Sequence, residues 1–389
     1  MSKSFMLRFF LMILPLQFII LLPLGDKGSG IRLYHVVGMV AFCLFVLFRF
    51  YAGRFLIFRT VKLDVLFYFS GIVLVEFFNS SSRDYFQLVL PVFAFLSYLI
   101  GAVALFDISE RKLNETLKNA ALVFFLIVFL KNIFFLPELL STFNQGQEAL
   151  IGIPWITAGG PNIESTVLVM MLSLFIGSRR MWWLSGLVFL SCILYQSRTS
   201  TLLFLFICAL HVSIKYKGIF RLSIFLAGFA AFISVVAASG ISNRFENVSD
   251  EFDESTVGRY FLWTSAVDLI QDNYLGYGLG EGVQKIESEA DRELAENNFH
   301  NIYLQSAVDS GVIFSALLLL IAARRIYASI KSGSTVSPYD LIVCMYFISG
   351  FVQFTGYDAI GWLFIGIADS MRSSTFQSKI ITSPLPRLT

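Results

Sequence analysis

Only three histidines occur in the 389 residues, His35, His211 and His300. An imidazole titrates near neutral pH, so it can take up or release a proton for a reacting group. His300 sits in Asn297-Asn298-Phe299-His300-Asn301-Ile302-Tyr303, where a polar segment meets an apolar one. A lone histidine at such a boundary is more often structural, and its polar company is what raises His300. His211, near a helix end, reads as a cap. Arg198 lies in a polar knot between two apolar stretches, Tyr195-Gln196-Ser197-Arg198-Thr199-Ser200. Arg259 shares one face of a helix predicted over 256–272 with Leu262, Trp263, Ala266, Leu269 and Ile270. A guanidinium grips phosphate or carboxylate oxygens through its planar fork. The plainer readings are a topological anchor for Arg198 and a side chain snorkelling to lipid headgroups for Arg259.

Other segments are less specific. Gly276-Tyr277-Gly278-Leu279-Gly280-Glu281-Gly282 permits positive φ and close backbone approach. Its spacing is not that of a dinucleotide fingerprint, and alone it reads as a flexible turn. Residues 283–297 read as a charged, solvated helix. Asn162, in Gly159-Gly160-Pro161-Asn162, begins a helix whose N-terminus favours anions, although Gly-Pro-Asn is also ordinary turn chemistry.

The elements that must position these residues are apolar. Hydrophobic residues make up 56% of the chain and charged ones 14%, against about 25% charged in soluble domains. The mean hydropathy is +0.73, and Phe alone contributes 42 residues. In an apolar solvent the backbone must satisfy itself, within helices or a closed barrel. The apolar runs are continuous, without the alternation of a barrel strand, so the expectation is an all-α polytopic membrane protein with about twelve spans. These fall at 5–24, 33–48, 63–78, 86–106, 117–137, 163–178, 181–195, 199–215, 219–239, 299–327, 339–356 and 358–371. The whole chain, 1–389, reads as one membrane domain. The four cysteines, Cys43, Cys192, Cys208 and Cys344, lie in apolar runs and read as buried small hydrophobes.

Most of the 29 Lys and Arg residues fall in alternate, shorter connections. By the positive-inside tendency these are cytoplasmic, as are both termini. The segment 138–162 and the large polar segment 240–298 then lie on the outer face, where function is expected. Lys131 and Glu76 are the main charges inside spans, and a buried Lys131–Glu76 pair is one to check. A net charge of +2 gives no sign of nucleic-acid binding.

The ordered set of Ser197-Arg198, Arg259 with Trp263, Gly276/Gly278/Gly280, Phe299-His300-Asn301-Ile302-Tyr303-Leu304 and Gly311 resembles the superfamily of O-antigen ligases and Wzy-type O-antigen or exopolysaccharide polymerases. The likeness is sharpest over residues 195–315. It implies a glycosyltransferase of the C-type architecture in the bacterial inner membrane, with its active side periplasmic and its large loop at 240–298. Such enzymes are described as inverting and metal-independent, and no cofactor is implied. The substrate would be an oligosaccharide on undecaprenyl diphosphate. The acceptor would be the next lipid-linked repeat in a polymerase, or lipid A-core in a ligase. Carried over residue by residue, the resemblance makes His300 the catalytic base and Arg198 and Arg259 the diphosphate ligands. Asn162, Gln196, Trp263, Asn301 and Tyr303 would line the substrate. The nearest thing to a cation-binding Asp-x-Asp is Asp250-Glu251-Phe252-Asp253-Glu254, which reads as solvated or sugar-facing. Besides membrane lipid, a chain-length regulator is the expected protein partner of a polymerase. A polymerase is the leading expectation, a ligase the near alternative. A transporter or flippase is the rival of another class, disfavoured because the two halves differ and few charges lie within spans.

Overall fold

The computed structural model describes residues 10, 12–13, 20–23, 30–51, 61–79, 85–145, 150, 152–157, 159–216, 219, 223, 230, 254–290, 298–331, 337–354 and 356–382. A short antiparallel pair, β1 (Ile20–Pro23) and β2 (Gly30–Arg32), precedes the helices. The helices are α1 (Leu33–Tyr51), α2 (Leu63–Asn79), α3 (Val89–Asp107), α4 (Glu110–Phe134), α5 (Leu136–Gln145), α6 (Gly160–Leu172), α7 (Arg180–Leu194) and α8 (Arg198–Lys215). They continue as α9 (Glu254–Asp272), α10 (Glu281–Ala290), α11 (Ile302–Ser310), α12 (Val312–Lys331), α13 (Pro338–Ser349) and α14 (Ala359–Thr382).

Local chemistry sets these boundaries. Pro161 stands in the first turn of α6, where its missing N–H costs nothing, and Gly159 precedes it at φ 100°. Pro338 opens α13 in the same way after Ser337. Asn301 caps α11, its side-chain oxygen accepting from the backbone N–H groups of Tyr303 and Leu304 at 3.0 and 3.1 Å. The bundle has one extensive apolar core that runs through α1 to α4, α6 to α8 and α11 to α14. Its tightest crossing is α3 against α14. A Cβ on Gly101 would meet the Leu363 carbonyl, and one on Gly366 the Tyr98 carbonyl, both at 2.2 Å. Small residues of this kind let helices approach where no hydrophobic driving force separates them from lipid.

Among the described residues, α4, α8 and α12 are long and apolar enough to cross a membrane, and several shorter helices are equally apolar. Large apolar side chains such as Phe77, Phe78, Phe134 and Ile313 lie exposed on the bundle.

Three expectations change. The first span, 5–24, is not a helix to its end, because Ile20–Pro23 pair with Gly30–Arg32. The span at 299–327 is two helices, broken at Gly311 with φ 92°. Segment 138–162 contains most of α5 rather than a plain loop. The cysteine expectation holds for Cys192 but not for Cys43, which is exposed. The predicted span at 219–239, the acidic stretch 246–253 and residues 291–297 lie outside the described residues, apart from 219, 223 and 230.

Charges brace one end of the bundle. Arg325 on α12 meets Asp369 on α14 at 2.6 Å and Asp64 on α2 at 3.4 Å, and Arg372 meets Asp340 at 2.6 Å. The opposite end of α2 and of α12 holds the groups described next.

Candidate active site

The His300 turn is built by side chains around it. Phe299 is buried among Leu262, Ala266, Leu269, Val283, Ile286 and Val308. Its N–H donates to Gln305 Oε1 at 3.0 Å, and that of His300 to Asn298 Oδ1 at 2.9 Å. The Ile302 N–H donates to the Gly350 carbonyl at 2.8 Å. His300 itself is half-buried at φ 51°, in the left-handed region that costs a non-glycine residue free energy. The indole Nε1 of Trp263 donates to the Phe299 carbonyl at 2.8 Å. Arg259, half-buried, lies one turn before Trp263 on α9, on the same helix face. The helix carrying one arginine is therefore bonded to the turn carrying the histidine.

The Arg198 knot is equally local. α7 ends at Leu194, Tyr195 follows as its cap, and Gln196 turns the chain at φ 50°. Ser197 then caps α8, so that Arg198, half-buried, is the first residue of that helix. Among the described residues, Gln196 and His300 are the non-glycine residues with positive φ. Both belong to the segments singled out from the sequence.

A set of hydroxyls ties the knot to α6. Ser200 Oγ lies 2.8 Å from each of Ser165 Oγ, Thr166 Oγ1 and Ser197 Oγ, and reaches the Asn162 carbonyl at 3.3 Å. Thr166 donates to Gln353 Oε1 at 2.6 Å. Gln353 follows Gly350, whose carbonyl holds the Ile302 N–H at the far side of the His300 turn. The two segments are thus joined through the 350–353 turn.

Several of the residues expected to line the substrate make bonds within the protein. The Asn301 side-chain oxygen caps α11. The Tyr303 hydroxyl donates to the Phe347 carbonyl at 3.0 Å. The Gln196 amide donates to the Thr142 carbonyl at 2.7 Å. Asn162 contributes its backbone carbonyl to the hydroxyl set. His211 Nδ1 accepts from the Gly177 N–H at 3.0 Å, a bond to the connection before α7 rather than the cap on its own helix that was expected.

The glycine segment is not a loose turn. Four successive N–H groups, those of Tyr277, Gly278, Leu279 and Gly280, donate to the Val308 carbonyl, the Asp309 carbonyl, Glu76 Oε2 and Asp309 Oδ1 at 2.8, 3.0, 2.7 and 3.2 Å. A Cβ on Gly276 would meet the Gly311 nitrogen at 2.6 Å. Positive φ at Gly276, Gly278 and Gly280 is what allows this approach. On α10, Lys285 donates to the Tyr277 hydroxyl at 3.2 Å, and that bond raises its ammonium above the ordinary lysine value.

Glu76 therefore serves the glycine turn, and Lys131 pairs with Glu164 instead, at 2.5 Å. Sequence spacing could not reveal this pairing, because the partners meet only through the packing of α4 on α6. The signal that was available is a carboxylate at the start of an apolar helix.

Residues 183–320 match the family model described as O-antigen ligase. That stretch, about a third of the chain, is similar to the O-antigen ligase family. The matched stretch begins in α7, ends in α12 and includes Arg198, Arg259 and His300, so the likeness drawn over 195–315 falls within it. A comparison with curated proteins returns no match. Proteins of the O-antigen ligase family are membrane glycosyltransferase-like enzymes, and the apolar helices agree with a membrane protein.

Proposed function

We propose that this chain is an inverting glycan polymerase. It transfers an oligosaccharide from undecaprenyl diphosphate to the next lipid-linked repeat unit, on the periplasmic side of the inner membrane. The observation that supports this most is the Trp263–Phe299 bond, which holds the helix of Arg259 to the turn of His300 inside the matched domain.

In this reading an acceptor sugar hydroxyl attacks the anomeric carbon while His300 takes its proton. The bond from that carbon to the phosphate oxygen breaks, and undecaprenyl diphosphate departs. Arg198 and Arg259 hold the diphosphate and stabilise charge growing on the bridging oxygen. An arginine at the first turn of α8 adds its charge to that of the helix N-terminus. The large outer segment 240–298 would border this reaction, and a chain-length regulator would dock beside it.

The description of the matched family favours a second reading, a ligase whose acceptor is lipid A-core. A strain deleted for this gene separates the two when its surface glycan is sized on a gel. A single-repeat band, restored to a ladder by wild type but not by His300→Ala, is the expected result. Loss of all glycan from lipid A-core, with long lipid-linked polymer accumulating, makes the chain a ligase. An unchanged ladder removes both.

A further inference from the structure

An ion pair lies inside the apolar bundle and is bonded to Tyr195, three residues before Arg198. Lys131 Nζ and Glu164 Oε1 are 2.5 Å apart, with side chains 6% and 0% exposed. The Tyr195 hydroxyl lies 2.8 Å from the same carboxylate oxygen and 2.6 Å from Asn132 Oδ1. The second oxygen, Glu164 Oε2, accepts from the Ile156 N–H at 2.6 Å. The Lys131 ammonium also sits 4.0 Å from the centre of the Trp155 ring and 4.8 Å from that of Tyr195. One carboxylate thus ties together α4, the end of α7 and the segment at 155–156.

Such a cluster is a poor way to gain stability. Burying two charges costs desolvation, and well-packed apolar residues often serve as well. Ionisable groups within membrane helices more often mark function. What this cluster adjoins is the strained turn: Tyr195 immediately precedes Gln196 at φ 50°, and Arg198 begins α8 three residues after Tyr195. Three residues of chain reach at most about 10 Å, so fixing Tyr195 leaves Arg198 little freedom. A left-handed non-glycine residue persists only where its surroundings over-determine it. Here they are the Glu164–Tyr195 bond on one side and the Ser197–Ser200 hydroxyls on the other.

We propose that Lys131, Glu164 and Tyr195 form a positioning unit that holds the Gln196 turn and so aims the Arg198 guanidinium at its anion. The inference rests on the reading of Arg198 as a diphosphate ligand. None of the three residues is asked to touch substrate.

The test compares Tyr195→Phe, Glu164→Gln and Arg198→Lys, singly and with each cluster variant placed on Arg198→Lys. Transfer rate is followed in membranes from the deletion strain, with that strain's own lipid-linked glycan as probe. Abundance and melting temperature of the purified protein are measured alongside. Tyr195→Phe and Glu164→Gln are each expected to accumulate normally and to slow transfer at least tenfold. On Arg198→Lys neither is expected to slow it further, because the fork they aim is already gone. Multiplicative losses in the double variants overturn the proposal, since the cluster then acts elsewhere. Failure of both cluster variants to accumulate also overturns it, since the cluster is then needed for folding itself. A slow Arg198→Lys beside wild-type rates in Tyr195→Phe and Glu164→Gln removes this inference alone. Wild-type rates in Arg198→Lys remove the diphosphate reading, and this inference with it.

Discussion

The indole of Trp263 is bonded to the carbonyl of Phe299, at 2.8 Å, so α9 and the His300 turn are fixed to each other by a side chain rather than by the backbone. Arg259 sits one turn away along α9 and His300 one residue along the turn. The spacing between a proposed anion ligand and a proposed base therefore depends on one nitrogen as well as on the packing of Phe299 against Leu262, Ala266 and Leu269.

Trp263→Phe keeps the ring and removes that nitrogen. The Phe299 carbonyl loses its indole donor, at a cost of about 1–2 kcal/mol. Transfer is expected to fall at least tenfold while the protein still accumulates. Rate and melting temperature measured on the same preparation check both halves. Full activity would mean that the spacing is set elsewhere.

Strain at His300 makes a separate test. His300→Gly relieves a φ of 51° and removes the imidazole. A glycine suited to its backbone conformation is expected to offset much of the lost side chain, leaving stability within about 1 kcal/mol of wild type. Transfer should nevertheless be abolished. Thermal unfolding and the glycan ladder give the two readings, and a variant that transfers normally would strip His300 of its role.

Arg259→Lys retains the charge but not the planar fork. Loss of at least tenfold in rate, with unchanged melting, is the expected outcome in the same membrane assay. Equal rates would show that a point charge suffices at this position.

Glycines divide by what surrounds them. Gly311→Ala places a Cβ 2.6 Å from the Leu275 carbonyl at φ 92°, and is expected to cost at least about 2 kcal/mol or to prevent accumulation. Gly186→Ala, in mid-helix on α7 with nothing within 4 Å of the added atom, should instead stabilise by about 0.5–1 kcal/mol. Melting temperatures of the two variants, moving in opposite directions, would bear this out.

Much of this was legible beforehand because apolar helices announce themselves. The helix predicted over 256–272 is found at Glu254–Asp272, with Leu262, Ala266 and Leu269 buried as their spacing requires. Arg198 stands at a helix start where a polar knot interrupts two apolar runs. Other features depend on partners far along the chain. Lys131 is paired with Glu164 rather than Glu76, because pairing is decided by which helices pack. The break at Gly311 was hidden because hydropathy continues across it. It exists to admit the backbone of Tyr274 and Leu275, which no local pattern records. Asn301 and Tyr303 sit beside His300 in sequence, yet their polar atoms serve the cap of α11 and the Phe347 carbonyl. Neighbours of a reactive residue are as often its scaffolding as its colleagues.

The four amides of residues 277–280 give α9 and α10 a common anchor. Because they are pinned to Glu76, Val308 and Asp309, the chain between α9 and α10 is fastened to α2 and α11 at this point. A load carried by α9 is then shared between this anchor and the Trp263–Phe299 bond.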